Sequence, residues 1–98
     1  MEIEGDTLRV SAVKELGATN AIAFRNWVRD AMSLRQRNID VDLSEATLID
    51  SSGLGALVVL HKTVNSRQGL LRLLHPQPQV QQILELAQMD RLFEIVKA

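Results

Sequence analysis

The sequence contains no cysteine and no tyrosine. Without cysteine the chain can form no disulfide, no thiolate metal site and no thiol nucleophile. Its aromatic residues are Phe24, Trp27 and Phe93. These are too few to suggest a surface on which nucleic acid bases stack. We expect all three to lie in the core.

A large excess of charge of either sign is also missing. Lys+Arg 11 against Asp+Glu 12 gives a net charge of -1, so the chain lacks the positive field that attracts nucleic acid. The longest apolar run, counted with its glycines, is Gly53 to Leu60, far short of the roughly 18 residues that span a membrane. The start of the chain has no basic segment followed by an apolar one. We expect a cytoplasmic protein with no nucleic acid partner and no direct membrane insertion.

The chain does have the composition of a folded domain. It has 98 residues, of which 46% are hydrophobic and 23% are charged. This length and composition predict a single domain, residues 1–98, with a hydrophobic core of its own.

Several short segments alternate between apolar and polar residues, the pattern of a half-buried strand. The first, MEIEG, is followed by a turn at Gly5 and Asp6. The others are TLRVSAV (7–13), NIDVDLS (38–44), LLRLL (70–74) and LFEIV (92–96). Asp40 and Asp42 alternate with apolar residues, so the second face of that strand cannot be wholly apolar. Helices are therefore expected mainly on one side of the sheet.

Three longer segments have apolar residues at helical spacing. In the first, Thr19 or Asn20 is a candidate N-cap. Its apolar stripe is Ala21, Phe24, Val28 and Ala31, widened by Trp27 and Leu34. The stripe of the second is Leu54, Leu57, Val58 and Val64, and Gly69 follows its end. The third has Val80, Ile83, Leu84 and Ala87, with Pro78 in its first turn.

The predicted order is β, β, α, β, α, β, α, β. Strands separated by single helices favour parallel pairing through right-handed crossovers. The sequence therefore predicts a small α/β domain with a mixed sheet of four to five strands. Arg25 and Arg29 lie one turn apart on the first helix, where they form either a solvated face or a basic docking patch.

The segment IDSSGLG lies between a predicted strand and the second helix, at an edge where α/β proteins often place their function. A Walker phosphate loop would need a Gly-Lys-Ser/Thr ending, which is absent. A hydrolase nucleophile elbow would need Gly-x-Ser-x-Gly and a histidine base, whereas this segment has Asp-Ser-Ser-Gly. His61 is on a predicted helix and His75 in a loop, and neither has neighbours in the sequence that suggest a metal site.

Two interpretations of this segment stay open. In the first it is structural: Asp50 or Ser51 caps the helix, and Gly53 lets the backbone pass close to a neighbour. In the second, Ser51 is a modification site. A phosphate on this hydroxyl would meet backbone N–H groups and the positive end of the helix dipole, so the fold would tolerate it while the surface charge changed.

The segment VDLSEATLIDSSGLGALVVLHK resembles the central part of the STAS domain family, which includes bacterial anti-sigma factor antagonists. QVQQILELAQMDRLFEIV is similar to the closing helix and strand of that family. The match extends over most of residues 39–96. It implies the STAS fold, a small sheet with helices largely on one side.

The resemblance also implies a mechanism called partner switching. The serine directly after the motif aspartate, here Ser51 after Asp50, is the expected phosphorylation site, and Ser52 is a weaker candidate. The unmodified protein would bind an anti-sigma factor with serine kinase activity, and the phosphorylated form would release it until a phosphatase removed the group. The chain would be neither an enzyme nor dependent on a cofactor. The implied partner-binding residues are Asp42, Ser44, Asp50, Ser51, Ser52, Gly53 and Leu54.

The chain departs from the family pattern at some positions. In KELGATNA, Glu15 and Leu16 match the family's GELD turn, whereas Lys14 and Gly17 replace its glycine and aspartate. Gln88 stands where a glycine or serine is frequent, a change expected to matter only for structure.

Two other functions remain as alternatives. STAS domains also resemble small subunits of ABC-type lipid transport assemblies, which dock onto an ATPase without phosphorylation. The presence of both Ser51 and Ser52 favours the phosphorylated antagonist over that subunit. A nucleotide- or ligand-binding sensor is the third alternative, and no residue of the sequence points to it.

Overall fold

A computed structural model describes residues 1–97 of the chain. The predicted order of long elements is confirmed, with two additional two-residue strands. The strands are β1 (Glu2–Glu4), β2 (Thr7–Val10), β3 (Glu15–Leu16), β4 (Asn38–Asp42), β5 (Leu48–Ile49), β6 (Leu71–Leu74) and β7 (Glu94–Val96). The helices are α1 (Ala21–Ala31), α2 (Ser51–Ser66) and α3 (Pro78–Leu86), and a 3-10 turn (Met89–Arg91) follows α3.

The main sheet has five strands in the order β1-β2-β4-β6-β7. β1 and β2 form an antiparallel hairpin through Gly5, whose φ of 60° is the left-handed conformation that glycine adopts readily. The other neighbours pair in parallel. The mixed sheet of the prediction is therefore confirmed. β3 and β5 form a separate parallel pair, and this pair supports the candidate site described below.

The core lies between one face of the sheet and the helices. Apolar residues of the inner strands alternate onto that face, as the sequence pattern predicted. Those with no exposed surface include Leu8, Val10, Ile39, Val41, Leu71 and Leu73. They belong to one cluster with residues of all three helices, including Phe24, Val28, Leu57, Leu60, Val80 and Leu84.

The opposite face of the sheet carries a row of charges. Strand register places Glu2 opposite Arg9, Arg9 opposite Asp40, Asp40 opposite Arg72, and Arg72 opposite Glu94. The signs alternate across all five strands, so each charge faces an opposite one, which stabilises strand pairing. Asp40 is only 5% exposed, and Arg72 Nε donates to its Oδ1 over 2.8 Å. This hydrogen bond raises the pKa of Arg72.

Two predictions about the core are wrong. Trp27 is 53% exposed and Leu34 is 97% exposed, whereas Phe24 and Phe93 are buried as expected. α1 ends at Ala31, earlier than predicted, and Met32 continues in an extended conformation and is buried. Leu34 therefore lies in the loop after the helix, beyond the reach of its stripe. Trp27 lies at the margin of the apolar stripe of α1, whose buried members are Ala21, Phe24 and Val28.

The predicted start of α3 and the predicted end of α2 are confirmed. α3 begins at Pro78, and α2 ends before Gly69, where an added Cβ would lie 1.6 Å from the carbonyl oxygen of Arg37. Ala87, predicted in the apolar stripe of α3, lies just past its end. Gln88 has a left-handed φ of 59°, a conformation that glycine adopts more readily than glutamine, so the expectation that this position matters for structure has a physical basis.

We expect Arg72→Met to destabilise the fold, because it leaves the buried Asp40 carboxylate without its hydrogen-bonding partner. Since the Arg72 side chain is 42% exposed, water will replace part of the interaction, and we expect a loss of about 1 to 2 kcal/mol. Urea unfolding would measure it. Arg35→Met, at an exposed loop position, is the matched control. Equal stability of the two variants would contradict the importance of the Asp40–Arg72 pair.

Candidate functional site

The first turn of α2 is held by the side chain of Asp50. Asp50 has an extended backbone (φ -120°, ψ -172°) and is the N-cap of the helix. Its Oδ1 accepts hydrogen bonds from the N–H of Ser52 at 2.9 Å and of Gly53 at 3.1 Å. These two donors would otherwise have no partner within the helix. Of the two caps that the sequence left open, the structure therefore supports Asp50.

The second oxygen of the same carboxylate binds another part of the chain. Oδ2 accepts from the N–H of Ala18 at 3.0 Å, in the loop between β3 and α1. The backbone of Gly17 passes so close that an added Cβ would lie 2.8 Å from Oδ2. Gly17, which replaces the aspartate of the family's GELD turn, thus fits the close packing around Asp50.

These three contacts favour the ionised form of Asp50. The hydrogen bond from Gly53, followed by those from Ala18 and Ser52, lowers the pKa of Asp50 below its ordinary value of 3.8. Asp50 is therefore an anion near neutral pH, and its oxygens already accept backbone hydrogen bonds. This arrangement suits a structural anchor better than a general base.

Gly53 is the place where α2 comes closest to β3. A Cβ at this position would lie 2.1 Å from the carbonyl oxygen of Leu16 and 3.0 Å from a side-chain carbon of Ile49. The predicted close approach of backbone at Gly53 is confirmed. Gly55 differs, because a Cβ there would meet nothing within 4 Å.

Ser51 and Ser52 occupy the first two positions of α2, and both are exposed. Within residues 1–97 neither hydroxyl takes part in a hydrogen bond, so neither serine side chain is a cap. The backbone N–H groups of Ser52 and Gly53 are already bonded to Asp50. A phosphate on Ser51 would therefore find fewer free N–H groups than expected from the sequence, and would add its charge mainly to the surface.

Asp42 and Ser44 lie in a different contact group, at the loop that follows β4. Asp42 Oδ1 accepts from the N–H of Ser44 at 2.9 Å, and its Oδ2 lies 3.7 Å from Arg9. The backbone oxygen of Ser44 accepts from Gln77 at 2.8 Å, which ties the loop to the start of α3. Within the described chain, no hydrogen bond or ion pair joins these two residues to Asp50 or Ser51.

The pKa of Asp42 results from opposing effects. Partial burial raises it, but hydrogen bonds from Ser44 and the charges of Arg9 and His75 together outweigh burial and lower it below 3.8. Asp42 is therefore also ionised near neutral pH.

The remaining candidate residues serve packing. Leu54 is half-buried against the core, so its side chain is only partly available to a partner. The ring of His61 meets that of Phe93 edge to face at 5.6 Å, consistent with a packing role. Among residues 1–97 no group of three or more His, Cys, Asp or Glu side chains could hold a metal ion. No helix of the described chain is long and apolar enough to cross a membrane.

The loop around Gly17 and Ala18 is the part of the site that sequence reasoning missed. Of the two candidate N-caps of α1, Thr19 and Asn20, the structure has Asn20, but its side chain caps no N–H group of the helix and binds this loop instead. Its Oδ1 accepts from the N–H of Gly17 at 2.8 Å and its Nδ2 donates to Glu15 at 2.9 Å. Gly17 and Ala18 take part through backbone groups, and backbone groups leave no signal in the residue type.

Gly53→Ala and Gly55→Ala should change stability in opposite directions. At Gly53 the new methyl group would meet the backbone of β3, and such overpacking costs about 1 to 3 kcal/mol. At Gly55 the methyl group has free space, and alanine stabilises a helix interior by about 0.5 to 1 kcal/mol relative to glycine. Denaturant unfolding of both variants would check this. A similar change at the two positions would contradict the assigned roles.

The stability contributed by Asp50 should depend on pH. Because the pKa of Asp50 is lower in the folded state than its ordinary 3.8, its contribution is present above pH 3.8 and is lost as pH falls through the folded pKa. We therefore expect the stability gap between the wild type and Asp50→Asn to shrink in acid. Asp90→Asn, at an exposed site, is the control. A gap that stays constant from neutral pH to below pH 3 would contradict the prediction.

Comparison with known proteins gives a family and individual relatives. The STAS domain family matches residues 1–98. A Thermotoga maritima protein named "Putative anti-sigma factor antagonist" is 34% identical over 95 residues, which are 96% of this chain and 84% of the relative. A STAS-domain containing protein of Pseudomonas aeruginosa is 34% identical over 70 residues, 68% of this chain and 69% of that protein.

Solved structures share the fold. The crystal structure of the Thermotoga maritima protein superposes with a TM-score of 0.89 at 32% identity, over 99% of this chain and 84% of that one. The anti-sigma factor antagonist SpoIIAA in its unphosphorylated form gives a TM-score of 0.82 at 17% identity, over 99% and 85% of the two chains. The family match over the whole sequence, with the fold and a relative of this similarity, shows that the chain belongs to the STAS domain family.

Proposed function

We propose that this protein is an anti-sigma factor antagonist that works by partner switching, with Ser51 as the phosphorylation site. The unphosphorylated protein binds an anti-sigma factor that has serine kinase activity, and the phosphorylated protein releases it. A phosphatase restores the binding form. In this role the protein is a regulatory binding module in the cytoplasm, and the catalysis belongs to its partners.

The observation that carries the proposal is the position of the Ser51 hydroxyl. It is exposed at the first position of α2, and within residues 1–97 it makes no hydrogen bond that the fold would lose on modification. The neighbouring carboxylate of Asp50 is held by three backbone N–H groups. The hydroxyl is thus presented at a fixed place while remaining free to react.

The relatives support the same conclusion. The Thermotoga maritima protein, which is 34% identical to this chain, carries the name "Putative anti-sigma factor antagonist". The neighbour SpoIIAA has been solved in an unphosphorylated and in a phosphorylated form, with TM-scores of 0.82 and 0.69 to this chain. A fold of this kind can therefore carry the phosphate.

In the phosphoryl transfer this chain supplies only the attacking hydroxyl of Ser51. The oxygen of Ser51 attacks the γ-phosphorus of ATP bound to the kinase, the bond to the bridging oxygen breaks, and ADP leaves. The hydroxyl proton passes to a base of the kinase, because Asp50 already accepts backbone hydrogen bonds through both carboxylate oxygens.

The added charge is large enough to act as a switch. A phosphate brings about -1.5 to -2 charges at pH 7, next to the carboxylate of Asp50. Leaving a charge unpaired in an interface costs about 2 to 5 kcal/mol, and about 1.4 kcal/mol corresponds to a tenfold change in affinity. The expected loss of affinity is between one and four orders of magnitude, and it needs no rearrangement of the fold.

The test is phosphorylation with purified serine-kinase anti-sigma factors from the same organism, ATP and mass-spectrometric mapping. We expect phosphate on Ser51 in the wild type and in Ser52→Ala, and none in Ser51→Ala. Ser51→Ala should bind the kinase as tightly as the wild type and unfold at the same temperature. Ser51→Asp should bind at least about tenfold more weakly, since it carries one added charge.

Other outcomes would overturn the proposal. Phosphate on Ser52 alone would move the switch to that residue. If every such kinase of the organism left the protein unmodified, and Ser51→Ala and Ser51→Asp both bound a transport ATPase equally well, the non-phosphorylated subunit of a lipid transport assembly would be the better function.

A further inference from the structure

A groove runs between α1 and α2 beside the two serines. It has a volume of about 330 Å³, at the lower end of the range for ligand pockets. Its lining is mostly small or apolar: Ala18, Ala21, Ile22, Gly55 and Ala56, with Ser52 at the end near the phosphorylation site. Arg25 is its one charged lining residue.

Gly55 keeps the floor of this groove open. The described fold gives no reason for a glycine here, because the position has no left-handed φ and a Cβ would meet nothing within 4 Å. A glycine inside a helix nevertheless costs about 0.5 to 1 kcal/mol relative to alanine. The space that it leaves is therefore available to something outside the chain.

The wall of the groove also exposes a large apolar side chain. Ile22 is 66% exposed on α1, although it lines a concave surface in which it could be covered. An exposed isoleucine beside an open helix floor is the arrangement that an apolar side chain of another molecule would fill.

Arg25 and its neighbour Arg29 supply a positive charge at the same helix. Both guanidinium groups donate to Oδ1 of Asn26, Arg25 at 3.2 Å and Arg29 at 3.0 Å. In the part of the chain that the structure describes, neither lies within salt-bridge distance of a carboxylate. Asn26 thus holds together two arginines whose charges the fold does not neutralise, and a carboxylate is the group that best complements them.

We propose that this groove docks a protein segment that carries a bulky apolar side chain and, within about one helical turn of it, a carboxylate. The apolar side chain fills the space above Gly55 and packs on Ile22, and the carboxylate binds Arg25. The inference rests on the proposed function, since it specifies how a partner of this module is recognised. A protein is the occupant because a net charge of -1 does not favour nucleic acid or an anionic lipid surface.

The position of the groove explains why phosphorylation of Ser51 would lower the affinity for the partner. Ser52 lines the groove and Ser51 precedes it directly. A phosphate on Ser51 would therefore place negative charge at the end of a groove that recognises a carboxylate. It would repel the acidic partner and compete with it for Arg25, so that phosphorylation weakens docking.

A library of random peptides of about twelve residues, long enough for a helix-in-groove motif, displayed on phage and selected on the unmodified protein, tests the groove. We expect enrichment of sequences that combine a large apolar residue with Asp or Glu one to four positions away. The selected peptides should bind Gly55→Leu at least about tenfold more weakly, because leucine fills the groove. They should also bind Arg25→Glu at least about tenfold more weakly, because the charge is reversed.

Two control variants separate docking from general effects. Asn65→Leu adds the same side chain to an exposed position near the end of α2, and Arg35→Glu reverses a charge in the loop after α1. Both should bind the selected peptides as the wild type does. Thermal unfolding by circular dichroism should show that Gly55→Leu is folded, since Gly55 is exposed and a Cβ there meets nothing within 4 Å. If it is not folded, Ile22→Glu takes its place in the comparison.

The proposal is overturned if no peptides are enriched, if the enriched peptides lack acidic residues, or if they bind Gly55→Leu as well as the wild type. The assay contains neither kinase nor ATP. Its failure therefore leaves the phosphorylation of Ser51 standing, and failure of phosphorylation with a positive peptide result would leave the docking groove standing without the switch.

Discussion

The hydrogen bonds of one carboxylate, that of Asp50, hold together the candidate functional site of this domain. Asp50 joins the start of α2 to the loop before α1 by accepting from Ser52, Gly53 and Ala18, the last of these 32 positions away in the sequence. Because both oxygens are used, the two helices begin in a fixed relation to each other. The groove between them and the place of Ser51 follow from that relation.

The close packing around Asp50 explains two of the glycines nearby. Gly17 lets the loop approach the carboxylate, and Gly53 lets α2 approach the backbone of Leu16. A side chain at either position would push apart segments that Asp50 draws together. Gly55 lies two residues further along α2, and a Cβ there would meet nothing within 4 Å, so the two glycines of the Gly-Leu-Gly sequence have different physical roles. Gly53 allows close packing of α2 against β3, whereas Gly55 leaves space at the surface.

The sequence was sufficient for the order of the long elements, for a cap of α2 at Asp50 or Ser51 and for the close approach of backbone at Gly53, because all three depend on residue type and spacing. The alternation of Ile39 and Val41 predicts a strand whichever neighbour it pairs with. Asp50 or Ser51 at the start of a helix predicts an N-cap, and the structure selects Asp50. The exposure of Trp27 and Leu34 could not be predicted in this way. It depends on where α1 ends and on which residues of α1 the rest of the domain covers.

The parts of the site made by distant segments were also beyond prediction. The contact of Ala18 with Asp50 uses a backbone N–H, which every residue except proline has. The β3–β5 pair has two residues in each strand, too short for any periodic pattern to appear. Such features become visible only when the chain is folded, although each is decided by a simple steric or hydrogen-bonding rule.

The two faces of the domain suit different roles for a physical reason. On the open face of the sheet, the charges from Glu2 to Glu94 alternate in sign across the strands, and Asp40 and Arg72 form an ion pair. A partner that covered this face would have to remove water from this row of charges, which seldom yields net affinity. The groove at the start of α1 and α2 is lined mostly by small or apolar residues. Arg25, which lines it, and the neighbouring Arg29 have no carboxylate within salt-bridge distance in the described chain. Docking in the proposed groove would cover apolar surface and neutralise charge, so a phosphate on Ser51 would add negative charge where it weakens binding most.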